Sequence, residues 1–190
     1  MDVFAAAQTL NRKAALEEWY QICDPTLAFT DSSYLEMLDL WRAKAGARKM
    51  PNRSDMTLRD LKGVLRHLLI LERVEQNPSR FRIRLIGTSL TSLAGDHTGK
   101  MVDEILPAED LHRLTQCWDL VLDVEQPLRF LGRVHLEGKE YLTAENLYVP
   151  LANDNEEPAF VLGLCRYTPR NRDVEATWEN QLASLPGGLL

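Results

Sequence analysis

The string GDHTGKM (Gly95 to Met101) carries the residue types that hold a nucleotide's phosphates, glycines with approachable backbone N–H groups and a lysine. Its spacing departs from a phosphate loop. Gly95 and Gly99 stand one residue too close for Gly-x-x-x-x-Gly-Lys-(Ser/Thr), and Met101 replaces the hydroxyl that would bind magnesium. The string therefore reads as a connecting turn. The histidines His67, His97, His112 and His135 form no i, i+4 pair and no carboxylate-flanked metal set. Cys23, Cys117 and Cys165 lie far apart without a Cys-x-x-Cys motif, which points to a reducing compartment. Cys117, next to Trp118, reads as a small buried hydrophobe. The acidic string NDNEE (Asn153 to Glu157) lacks the sixth-position glycine of a calcium loop and reads as a solvated turn. No nucleophile, acid–base pair or metal cluster emerges, so the reading is of a protein without a catalytic site and without a metal.

Composition narrows the classes further. A chain of 190 residues with 45% hydrophobic and 26% charged residues has material for one domain with elaborations and a sizeable core. The net charge of −6 repels nucleic acid and anionic membranes. One local cluster, Arg42, Lys44, Arg48, Lys49 and Arg53, runs against that sign and reads as a solvated helix end and loop. The start of the chain has an early Asp2 and only a short apolar stretch, Val3 to Ala7, which predicts retention in the cytoplasm. The most apolar run, Ala159 to Cys165, is too short to span a bilayer.

The elements follow from periodicity. Leu16, Trp19, Tyr20 and Cys23 fall on one face of a first predicted helix, and Tyr34, Leu38, Trp41 and Ala45 on one face of a second. Ser33 and Glu36 fit a capping box for the second, and Gly46 fits its stop. A third, shorter helix is predicted from Thr57, capped with Asp60 and presenting Leu58, Leu61 and Leu65, with Gly63 weakening it. From His67 the period becomes two. HLLILERVE and RFRIRLIG, joined by QNPS, predict a hairpin with Phe81, Ile83 and Leu85 facing a core. A broken helical stretch follows, then a long helix opening at Pro107 with Leu111, Leu114, Trp118, Val121 and Leu122 along one face. LRFLGRVHLE, YLTAENLYVPL and AFVLGLCRY predict a three-strand meander. The last of these is apolar at both parities, so both sheet faces must be covered, one by the long helix and the other by the N-terminal helices. A terminal amphipathic piece carries Val174, Trp178, Leu182 and Leu185.

PNRSD (Pro51 to Asp55), LRHLLILERVE, RFRIRLIGTSL, GDHTGKMVDEIL and NLYVPLAND together resemble a bacterial PAS-domain family found largely in alphaproteobacteria and first catalogued as a domain of unknown function. The resemblance covers roughly residues 35 to 167. Its most specific part is RLIGTSL followed by GDHTGK, a strand, Gly-Thr, a short helix, then Gly-x-x-x-Gly-(Lys/Arg). Prolines of the family pattern near Leu58 and Arg66 are absent. The resemblance implies an α+β fold: a five-stranded antiparallel sheet with helices on one face, enclosing a small pocket that holds haem, flavin, a metabolite or nothing. Here that sheet would carry an N-terminal helical extension and a short C-terminal helix, dividing the chain into residues 1–50, 51–168 and 169–190. Flavin photoreceptors of the superfamily use a cysteine in an Asn-Cys-Arg-Phe setting. None stands between Thr88 and Leu106, so no cofactor is expected. His112 would be the haem-ligand candidate.

The expected function is a stand-alone sensory or regulatory domain acting through a small molecule, a protein partner, or both. Pocket candidates are Phe81, Ile83, Leu85, His112, Trp118, Leu122 and Phe130. Trp19, Tyr20, Tyr34, Leu38 and Trp41 offer more apolar surface than one sheet face needs, which predicts a homodimer through the N-terminal helices. The competing class is an isomerase- or dehydratase-like enzyme on an α+β cone, with Tyr148, Glu145 or His135 aimed into its cavity.

Overall fold

The computed structural model describes residues 2–134, 138–139, 141–170 and 172–183, without the side chains of 173, 174, 181 and 182. His135, Leu185 and the side chains of Val174 and Leu182 lie outside the described residues. The helices are α1 (Val3–Leu16), α2 (Ser32–Ala45), α3 (Thr88–Ala94), α4 (Ala108–Val124) and α5 (Arg172–Ala183). The strands are β1 (Gln21–Asp24), β2 (Leu68–Gln76), β3 (Ser79–Ile86), β4 (Leu128–Arg133), β5 (Leu142–Ala152) and β6 (Pro158–Pro169). They form one antiparallel sheet in the order β1-β4-β5-β6-β2-β3. The sheet thus has six strands among the described residues: the expected five, β2 to β6, and an additional edge strand.

That sixth strand corrects the reading of the first helix. The chain leaves α1 at Leu16, Glu18 takes a left-handed φ of 55°, and Gln21–Asp24 runs as a strand buried at all four positions. The helical spacing of Trp19, Tyr20 and Cys23 yields to the hydrogen bonds offered by the edge of β4, a tertiary preference that outweighs a weak local one. The predicted third helix is also absent. Residues from Thr57 run as turns ending in a 3-10 turn at Leu65–His67. The Thr57 hydroxyl does donate to Asp60 at 2.7 Å, but so short a segment containing Gly63 cannot repay helix nucleation. In α2 the cap is Asp31, whose carboxylate accepts from the Ser33 N–H and hydroxyl, while Gly46 ends the helix with φ 60° as expected.

Two cores lie on the two faces of the sheet. The inner one joins Ala7 and Leu10 of α1, Leu90 of α3 and the α4 stripe of Cys117, Trp118, Val121 and Leu122 to Cys23, Leu71, Phe81, Ile83, Phe130, Tyr148, Val161 and Cys165. The outer one joins Tyr34, Leu38 and Trp41 of α2, with Met50, Met56 and Leu61, to Ile70, Leu147, Val149, Leu151, Leu162 and Leu164. Coverage of both faces is as the sequence required, but α1 lies beside α4, not with α2. Trp178 of α5 packs on Ile22 and Leu131 on the outer side.

Each edge of the sheet is covered in part. At β3, the N–H of Gly99 donates to the Ile83 carbonyl at 2.7 Å and the N–H of Ile83 to Lys100 at 3.0 Å, with Arg82 bridging Met101. At β1, Cys23 turns its backbone groups away from β4, and the buried Asn11 side chain takes both: its amide donates to the Cys23 carbonyl at 2.8 Å and its oxygen accepts from the Cys23 N–H at 2.7 Å. The β1 backbone lies so close to Gly132 that a Cβ there would sit 2.1 Å from the Tyr20 carbonyl oxygen. Only glycine fits.

Candidate functional site

Phe81, Ile83, Trp118, Leu122 and Phe130 converge between α4 and the inner face of the sheet. The Phe81 and Trp118 rings meet edge-on at 5.3 Å, and Phe130 lies 5.4 Å from Tyr148, which occupies the space left by Gly163. Leu85 does not join them. A register shift places Leu71 opposite Ile83 and Ile70 opposite Leu85, so Arg84 is an extra residue on β3 and Leu85 turns to the outer core. His112 is not in this core either. It is half-exposed on the surface turn of α4, 3.3 Å from Glu17 and edge-on to Trp19.

Alternation along β5 puts Asn146 on the inner face, opposite Phe130 on one side and Cys165 on the other. Asn146 is 5% exposed, and its Oδ1 finds no hydrogen-bond partner among the described residues. The indole N–H of Trp118, 3% exposed, is directed at the buried Tyr148 hydroxyl in the same core. The Asn146 acceptor is left open, although buried polar groups normally find partners. Asn146 was missed in the sequence, where one polar residue inside ENLYVPL reads as solvent-facing. Around it, burial pushes the thiols of Cys117 and Cys165 up to about 12, and burial raises the Tyr148 phenol, so these groups stay neutral.

The next residue, Glu145, faces the other way. Its carboxylate accepts from Arg129 of β4, at 2.8 Å from Nε, and Arg129 Nη1 lies 2.9 Å from Asp24 of β1. The guanidinium is nearly fully buried and stands over the Phe29 ring at 5.1 Å. The Glu145 backbone carbonyl accepts from the Tyr34 hydroxyl at 2.7 Å, and Trp41 Nε1 donates to the Pro150 carbonyl at 2.8 Å. Arg166, paired with Glu145 across β6, reaches Asp31 at 3.3 Å and Ser33 at 2.9 Å. A ladder of alternating charge thus crosses the outer face from β1 to the start of α2. Glu145 and Tyr148 lie on opposite faces of β5, so they share no cavity of the kind a cone-type enzyme needs.

The interface candidates divide. Tyr34, Leu38 and Trp41 are buried against their own sheet, so they supply no spare surface. Trp19 and Tyr20 stand in the link between α1 and β1, where Trp19 packs toward α4 and Tyr20 is exposed. These two help line a surface cleft of about 390 Å³ with Glu17, Glu18, Glu109, Asp110, His112 and Arg113. In the basic cluster, Arg42, Lys44, Arg48 and Lys49 each have an acidic partner, and Arg53 donates to the Met56 carbonyl. The GDHTGK segment spends its Gly99 and Lys100 N–H groups on Ile83 and His97. Among the described residues no helix is long and apolar enough to cross a membrane, and no group of three or more His, Cys, Asp or Glu residues could hold a metal.

Known proteins resemble the chain in part. A structure of a light-oxygen-voltage domain is 11% identical, aligned over 65% of this chain and 92% of its own, with a TM-score of 0.43. A sensory box histidine kinase/response regulator from Burkholderia thailandensis E264 is 14% identical, over 64% and 91%, with a TM-score of 0.37. No curated protein matches the chain. A family model described as "PAS domain" matches residues 29–166, which span α2, the five strands β2 to β6 and the helices α3 and α4 between them. The match, over most of the chain and on the strands that form the expected sheet, shows that the chain belongs to the PAS-domain family.

Proposed function

We propose that this PAS domain is a cytoplasmic sensor that takes a small molecule into its inner core beside Asn146 and passes the event to a protein partner. The observation that carries this reading is the Asn146 oxygen, buried with an open acceptor position on the inner face of the sheet, between Phe130 of β4 and Cys165 of β6. A mostly apolar molecule bearing one N–H or O–H donor matches that environment, because it would satisfy the acceptor and bury the rest of its surface. Along β5, Glu145 adjoins Asn146 and on the opposite face holds Tyr34 and Arg129, and Arg129 in turn holds Asp24. A ligand that binds one position of this strand more tightly shifts the arrangement of β1 and α2 by that differential affinity.

Native mass spectrometry of the purified protein, alone and with Asn146→Leu, tests the ligand. The expected result is a bound small-molecule mass in the wild type that the variant loses while remaining folded. An empty wild type, with thermal stability unresponsive to a library of small apolar alcohols and amides, would remove the ligand from the reading.

A further inference from the structure

The segment before the matched region, α1 with β1, is built as one body. The Asn11 side chain fixes Cys23 by two hydrogen bonds, so helix and strand move together. This arm seats on the rest of the chain through four residue pairs with β4, through Asp24 on Arg129, and through Ile22 against Leu131 and Trp178. Between the arm and α2 runs a short connection in which Leu27 adopts a left-handed φ of 55° and the Phe29 N–H folds back to the Leu27 carbonyl at 2.8 Å. A branched leucine in that region is strained, and strain in a hinge is relieved when the hinge extends.

We propose that the arm exchanges between two copies of this chain, β1 of each seating on β4 of the other. The exchange needs no new surface. Every contact between arm and sheet is repeated across the pair, so the balance between closed monomer and exchanged dimer rests on the hinge and on concentration. The partner is a second copy because the acceptor strip on β4 is shaped to this arm. Gly132 leaves room for the Tyr20 and Gln21 backbone, Leu131 receives Ile22, and Arg129 receives a carboxylate. This inference is independent of whether Asn146 meets a ligand.

A charge-exchange experiment tests it on the full chain. Asp24→Arg sets two arginines against each other and Arg129→Asp sets two aspartates, so neither variant seats its own arm. Mixed in equal amounts and refolded together, they restore an oppositely charged pair in both arms of a mixed dimer. Native mass spectrometry should show one chain of each kind as the dominant dimer. Monomers alone, or dimers in the statistical ratio of like and unlike chains, would overturn the proposal. If either variant fails to fold, wild type and Leu27→Gly decide it by light scattering after refolding at high concentration. A wild-type dimer whose fraction falls several-fold in Leu27→Gly supports exchange; a wild type that stays monomeric, or a dimer indifferent to residue 27, ends it.

Discussion

Arg129 holds two carboxylates, Asp24 and Glu145, in a region almost closed to water. Its removal leaves both acids facing a gap, so Arg129→Ala should destabilise the fold by about 3–5 kcal/mol, the usual penalty for breaking a buried pair. Urea denaturation at neutral pH measures it. His67 contributes a pH dependence of definite sign. Burial, with Arg166 and Arg66 nearby, lowers its pKa from the ordinary 6.5, against a smaller opposing pull from Asp31. The unfolded chain then binds more protons than the folded one just below pH 6.5, so stability rises with pH through that window and falls on acidification. His67→Gln should flatten this slope below the ordinary histidine value of 6.5, as read from denaturation midpoints. Neither role was legible in the sequence. Arg129 and Glu145 look like the solvent-facing members of alternating strands, and it is Phe29 before α2 and Tyr34 within it that cover them.

At the level of elements, Trp118 belongs to the side of α4 that the helical period assigned to the core, and it meets Phe81 there. Trp118→Ala should therefore destabilise the fold by about 3–5 kcal/mol in equilibrium denaturation. Asn11→Ala strips two partners from Cys23. It should destabilise by about 1–3 kcal/mol and speed hydrogen exchange at the Cys23 amide without loosening β5. The contrast between these helices explains what periodicity could reveal. α2, α4 and the strands β2 to β6 each run long enough for an apolar repeat to declare itself. β1 has four residues and no repeat, and it is a strand because of β4, which lies far along the chain. Leu85 failed for a related reason: a one-residue bulge reverses the face of everything beyond it, and nothing in RFRIRLIG marks where the extra residue sits.

For the whole molecule, the division into 1–50, 51–168 and 169–190 becomes a question of cooperativity. Ala7 and Leu10 share a core with Trp118, and Trp178 stands on Ile22 and Leu131. The extensions should unfold together with the PAS portion, giving one coincident transition by far-ultraviolet circular dichroism and tryptophan fluorescence. An early, separate melt of helical signal would show instead that the flanks fold on their own. The sequence disclosed the family and the layers because both follow from strings and periods. The open acceptor at Asn146 was hidden because its meaning depends on the walls around it.

The order in which the chain is made gives the Asn11 clasp another meaning. β1 leaves the ribosome before β4, its only strand neighbour among the described residues, which is synthesised much later. A strand waiting with both edges bare invites pairing with another nascent chain. Asn11 and Cys23 are only twelve residues apart, so the clasp can close as soon as α1 and β1 exist. It shields one edge of β1 through the long interval before β4 arrives to take the other.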